Sequence, residues 1–138
     1  MSRHTIAAIF ALFLTPTLVA AQNADPWTGI FQAIDPVDGS IDYLSIIANG
    51  NGSYTLIGTA SNHGACAKKT GMPKRGWHKA SGKIRDGKLT RENAIVTCEG
   101  LKETIRVEDT ALTHNATSNT LSLPVMNGAK TLVFHRLN

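Results

Sequence analysis

Four residues have side chains that could do chemistry together: His63, Cys66, His78 and Cys98. Imidazoles and thiolates are common zinc ligands, and a thiol beside an imidazole can act as a nucleophile. The spacing is loose and contains no CxxC pair, so no metal and no cofactor is expected. The two cysteines are the only ones in the chain. Joined as a disulfide, their sulfurs cannot attack a substrate. Asp35 and Asp38 lie too close together on one turn to span a cleft as an acid/base pair. The stretch "DPVDGS" does not have the ligand spacing of a calcium loop and reads as a turn. HExxH, GxSxG and Walker sequences are absent. His63, His78, His114 and His135 read as exposed or capping histidines. No catalytic residue is assigned, and enzymatic activity is not expected.

Charge is the more unusual feature. Between Lys68 and Arg91 there are nine Lys and Arg residues and one acid, Asp86. The opening segment instead carries Asp25, Asp35, Asp38 and Asp42 and no basic residue. Lys68, Lys69, Lys74 and Arg75 form a candidate anion-binding surface that would face an acidic protein or another anionic surface. Only Trp77 lies among these cations, which leaves no stacking platform for bases, and nucleic acid is not expected as a partner. Asn51 and Asn115 begin Asn-x-Ser/Thr triplets, which read here as turn chemistry.

Export would determine the state of the cysteines. Arg3 precedes the apolar run Ile6–Leu14, Pro16 breaks that run, and small residues flank Ala21. This is the order of a secretory signal over residues 1–21, and the run is too short to cross a bilayer as a helix. A single domain over residues 22–138, secreted or periplasmic, is expected, with no transmembrane segment. Disulfides persist in those compartments, so Cys66 and Cys98 are expected to pair.

The elements that must position these groups read as strands. "WTGIFQAI", "IDYLSIIA", "SYTLIGTA", "WHKASGKI", "KLTRENAIVTC", "LKETIRVED", "TLSLP" and "AKTLVFHRL" are separated by the turn signals "DPVDGS", "NGNG", "RDG", "EG" and "MNG". In "LKETIRVED", Leu101, Ile105 and Val107 alternate with charged residues, the period of a half-buried antiparallel strand. No stretch has helical periodicity with caps. The expected fold is all-β: a single antiparallel barrel of about eight strands, closed so that no edge is left exposed.

The opening "WTGIF…DGS" resembles the first strand of the calycins, the lipocalin, fatty-acid-binding and avidin-type barrels. Gly29 and Phe31 stand at the Gly-x-Trp positions of that strand, and Trp27 lies two residues earlier. The resemblance implies a barrel end plugged by Trp27 and Phe31, with Arg136 of "VFHRL" packed across the ring as the basic residue near the last strand. A guanidinium can stack on an aromatic face in this way.

Two functions from different classes follow. One is a binding barrel for a small apolar ligand, lined by Leu44, Ile46, Tyr54, Leu56, Val96, Ile105, Val107, Leu132 and Phe134. The other is a protein-binding module. Similarity to small exported barrels that inhibit bacterial metalloproteases implies insertion of the Gln22–Pro26 arm into a target. The volume of the barrel interior separates the two.

Overall fold

A computed structural model describes residues 25–137. The expected signal over residues 1–21, and most of the arm that begins at Gln22, lie outside the described residues. Nine strands are present: β1 Gly29–Ile34, β2 Ile41–Gly50, β3 Ser53–Ala60, β4 Gly76–Arg85, β5 Lys88–Cys98, β6 Thr104–Arg106, β7 Thr110–Asn115, β8 Thr120–Val125 and β9 Lys130–Arg136. One short α-helix, α1 Gly64–Thr70, lies between β3 and β4, and a 3₁₀ turn, Met126–Gly128, joins β8 to β9. All strand pairings are antiparallel, in the order β4-β3-β2-β1-β9-β8-β7-β5, and a β4–β5 ladder closes the ring. This is the expected eight-stranded antiparallel barrel.

The hairpins form where the sequence places left-handed residues. Asn51 (φ 55°) and Gly52 (φ 68°) turn β2 into β3, and Asp86 (φ 49°) and Gly87 (φ 71°) turn β4 into β5. Positive φ at both central residues matches the right-handed twist of the flanking strands.

Two assignments differ from the sequence expectation. "LKETIRVED" is not a barrel stave; only Thr104–Arg106 forms a strand, β6, which lies on the outer part of β5. Its place in the ring is taken by β7, "TALTHN", where repeated Thr and polar residues hide the alternation. The helix was also not expected. With seven residues α1 is too short to show a period, and its N-cap is His63, whose Nδ1 accepts a 3.3 Å hydrogen bond from the Ala65 N–H.

Strand β5 serves both neighbours because it is bulged. Lys79 faces Ile95 but Ser81 faces Glu92, so β5 carries one extra residue at this point, beside Asn93 in the left-handed region (φ 54°). The bulge switches the inward parity from Leu89 and Arg91 to Ala94, Val96 and Cys98. Leu89–Arg91 pair with β7, and Ile95–Thr97 pair with β6.

The core divides along the same line. Phe31, Ile46, Tyr54, Leu56, Leu89 and Leu121 are buried in the main cluster within the barrel. A satellite cluster of Cys66, Val96 and Cys98, with Leu101 and Ile105 against it, packs beneath α1. Cys66 and Cys98 are joined, with an S–S distance of 2.04 Å and a sequence separation of 32. The bond ties α1 to the end of β5. Among the described residues no helix is long and apolar enough to cross a membrane.

Candidate functional site

The two ends of the barrel differ. One is closed by Trp27, Phe31 and Arg136. Phe31 is fully buried, and the Arg136 guanidinium lies 4.7 Å above its ring centre. The same guanidinium donates to the carbonyls of Thr28 and Pro26, the latter at 2.7 Å. Trp27 is buried against His114, with ring centroids 5.7 Å apart. Tyr54 donates its hydroxyl proton to Asp25 at 2.9 Å. Asp25 and Pro26 are therefore held against the closed end, which shortens the reach of any N-terminal arm.

The other end is open. A cavity of about 190 Å³ lies between the β1–β2 loop, the start of α1 and the inner faces of β2, β3, β4, β5, β7, β8 and β9. Its floor is apolar: Leu44, Leu56, Leu112, Leu123, Leu132 and Phe134. Asp35, Asp42, Asn62, His63, His78, Arg91 and Thr110 line its upper wall. Of the residues expected to line a ligand space, Leu44, Leu56, Leu132 and Phe134 lie along this cavity. Ile46 and Tyr54 fill the closed half of the core. Val96 and Ile105 belong to the satellite cluster, and Val107 packs between the two clusters, because "LKETIRVED" lies outside the ring.

The polar wall was not anticipated. Parity explains its four strand residues: each lies two residues along its strand from a buried inward residue. Asp42 precedes Leu44, His78 precedes Ala80, Arg91 follows Leu89, and Thr110 precedes Leu112. The period-two rule that points the apolar residue inward points the polar one inward too. His78 is accommodated because Gly58 lies opposite; a Cβ at Gly58 would come within 2.2 Å of the imidazole. His78 is thus an interior residue, whereas His63 both caps α1 and lines the cavity.

Five atoms of this wall are buried and find no hydrogen-bond partner among the described residues: Asp42 Oδ1, Asn62 Oδ1, His78 Nδ1, Arg91 Nε and Thr110 Oγ1. Buried polar atoms are normally satisfied, so water or a ligand must complete this set. Burial, with Asp35 and Asp38 nearby, pushes the Asp42 carboxyl up to about 7. Burial, then the charge of Arg91 and the neighbouring His63, pulls His78 down to about 4. Burial and Arg91 lower His63 in the same way. Burial also lowers the Arg91 guanidinium, an effect opposed by Asp109, but an arginine remains charged at neutral pH. Beside the Asp35 carboxyl, the wall at pH 7 therefore presents one cation, two neutral imidazoles and, at Asp42, a carboxyl near its midpoint.

These shifts act on stability in opposite directions. Below 3.8, the ordinary value for Asp42, both folded and unfolded chains hold its proton. Above that the unfolded chain releases the proton and the folded chain keeps it, so stability falls as pH rises towards 7. His78 is neutral when folded, so the stability it supports at pH 7 is lost as pH falls from 6.5 towards 4. Asp42→Asn should remove only the first effect. Stability at pH 8 is expected to rise by on the order of 1–2 kcal/mol, allowing for solvent screening of a half-exposed group. No gain is expected at pH 3.5. Urea unfolding at the two pH values checks this, and an equal change at both would refute the assignment.

The basic surface is divided. Lys68 and Lys69 lie on the last turn of α1, and Lys74 and Arg75 lead into β4, all four at the open end. Lys83, Arg85 and Lys88 lie by the β4–β5 turn at the closed end, and Arg91 points inside. Lys69 pairs with Glu103 at 3.7 Å, but both side chains are exposed and the pair contributes little. Among the described residues no cluster of three or more His, Cys, Asp or Glu side chains could hold a metal ion. No protein-family model, curated protein or solved structure matches the chain.

Proposed function

We propose that this is an exported, lipocalin-like binding protein that takes a small molecule into the open end of its barrel. The observation that carries the reading is the convergence of five unpartnered buried polar atoms on one cavity above an apolar floor. An apolar pocket with a few converging polar groups and perturbed ionisations is the usual form of a small-molecule site. The polar wall calls for an amphipathic ligand rather than the purely apolar one expected from the strand pattern. The disulfide supports export, because such bonds persist outside the cytosol. Lys68, Lys69, Lys74 and Arg75 surround the same end and would raise the local concentration of anions near the mouth.

The test is ¹⁹F NMR titration with 4-fluorobenzyl alcohol, a neutral single-ring probe. Saturable binding at one site is expected, with Kd below about 1 mM. Leu132→Trp, which fills the floor, should abolish it while the fold is retained. Wild-type protein that shows no saturable uptake would remove the basis for this reading.

A further inference from the structure

We propose that the open end selects a compact carboxylate of single-ring size, its carboxylate held by Arg91 and Thr110 and a hydrogen-bond donor at its far end held by Asp42 and Asn62. This rests on the binding-barrel reading above and specifies the chemistry of the ligand.

Arg91 is the starting point. Its guanidinium lines the cavity, its Nε finds no partner, and among the described residues it has no carboxylate within ion-pair distance. Asp109, which offsets its charge from a distance, already accepts the Asn93 N–H at 3.1 Å. A guanidinium placed inside a protein without a counter-ion is unfavourable, and a planar carboxylate is the group that matches its fork. Thr110 is the register partner of Arg91 across the β5–β7 ladder, and its hydroxyl oxygen is also unpartnered. The two side chains together offer charged and neutral donors to one carboxylate.

The far wall has the opposite character. Asp42 on β2 is separated from β5 by β3 and β4, so it faces Arg91 from across the ring. Asn62 donates through Nδ2 to Asp38, which leaves its unpartnered Oδ1 as an acceptor. Asp42 Oδ1 is likewise unpartnered. A ligand hydroxyl or ammonium suits this wall, and the apolar floor between the walls suits a hydrocarbon body.

Size and charge narrow the class. An engineered apolar cavity of about 150 Å³ takes up benzene. The 190 Å³ available here therefore holds one ring with a small substituent, not a long acyl chain. A phosphate would set two negative charges against a single cation, since both histidines are held neutral. It would also leave the apolar floor uncovered.

Calorimetric titration of the wild type with 4-hydroxybenzoate, its neutral isostere 4-hydroxybenzamide, and benzoate tests the inference. The carboxylate should bind about tenfold tighter than the amide, the scale of one charge-assisted bidentate pair. Benzoate, lacking the far-end donor, should bind roughly threefold weaker than 4-hydroxybenzoate, as expected for one lost hydrogen bond. Arg91→Gln should erase the carboxylate preference, with the larger loss of affinity falling on 4-hydroxybenzoate, because the charged partner is removed. Arg91→Lys should retain part of the preference. Equal binding of carboxylate and amide overturns the inference yet leaves the binding reading intact. The same holds if 4-fluorobenzyl alcohol binds and neither benzoate does. Equal binding of the two benzoates overturns the far-end assignment. If none of the probes binds, both readings fall. Should the Gln variant not fold, the wild-type comparison of isosteres still decides.

Discussion

Phe31→Ala is expected to lower the stability of the barrel by about 3–5 kcal/mol, the range for removing a fully buried aromatic ring. The residue has no exposed surface and lies where β1 meets both β2 and β9. Its loss would also free Arg136, which rests on the ring and fastens the backbone of Pro26 and Thr28. Gly29 cannot supply replacement bulk. A Cβ there would meet Arg136 at 2.4 Å, and its φ of 141° is unfavourable for other residues. Domains of this size are stable by only about 5–15 kcal/mol, so this loss would take a large share of the barrel's stability. Urea titration followed by tryptophan fluorescence and far-ultraviolet circular dichroism measures the loss. A loss under 1 kcal/mol would mean that the closed end is not held by this ring.

Replacing Cys66 and Cys98 together with serine is expected to cost about 3–4 kcal/mol on the chain-entropy view of a loop this long. The effect should begin locally. Cys66 is the buried residue of α1, and a seven-residue helix does not persist without tertiary support. His63 and Gly64, at the start of that helix, belong to the cavity lining. The variant should therefore lose ligand affinity at temperatures where the barrel is still folded. Amide exchange should accelerate in residues 64–70 and 101–107 before it does in β2 and β3. A loss below 1 kcal/mol, with slow exchange kept in α1, would show that packing rather than the bond holds this end together.

Much of the barrel was legible because its signals are local. Asn51-Gly52 and Asp86-Gly87 place two hairpins, and the alternation in "IDYLSIIA" and "SYTLIGTA" places the strands beside the first. The sequence marks "LKETIRVED" as a stave and leaves β7 unmarked because Leu101, Ile105 and Val107 alternate more regularly than Ala111 and Leu112 do. Whether an alternating segment joins a ring or flanks it depends on long-range pairing, which period two does not encode. The helix left no trace because a histidine is an uncommon N-cap and about two turns are too few to show a periodic face.

The site was hidden for a different reason. In water-facing terms Arg91 looks like one more cation in a basic stretch, and Asp42 like one more acid in an acidic one. Inward parity read through Leu89 and Leu44 identifies both, at no cost beyond continuing the alternation past the apolar residues. Only the bulge at Asn93 resists this reading, since it shifts the parity of Ala94, Val96 and Cys98 without an apolar cue.

The ring is sealed by its first and last strands. Phe31 and Gln32 pair with Arg136 and His135, Leu137 donates its N–H to the Ile30 carbonyl at 2.8 Å, and the Arg136–Thr28 contact spans 108 residues. A chain delivered from its N-terminus, by a ribosome or through a membrane pore, can fold its internal hairpins as they emerge. The outer edge of β1, flanked by the exposed Ile30 and Ile34, finds no partner until β9 has arrived. Until then every partly delivered chain is an open sheet with sticky borders, the state in which strand proteins join one another. Barrel closure therefore waits for β9, and a chain that lacks this strand retains most of its hairpins but cannot close.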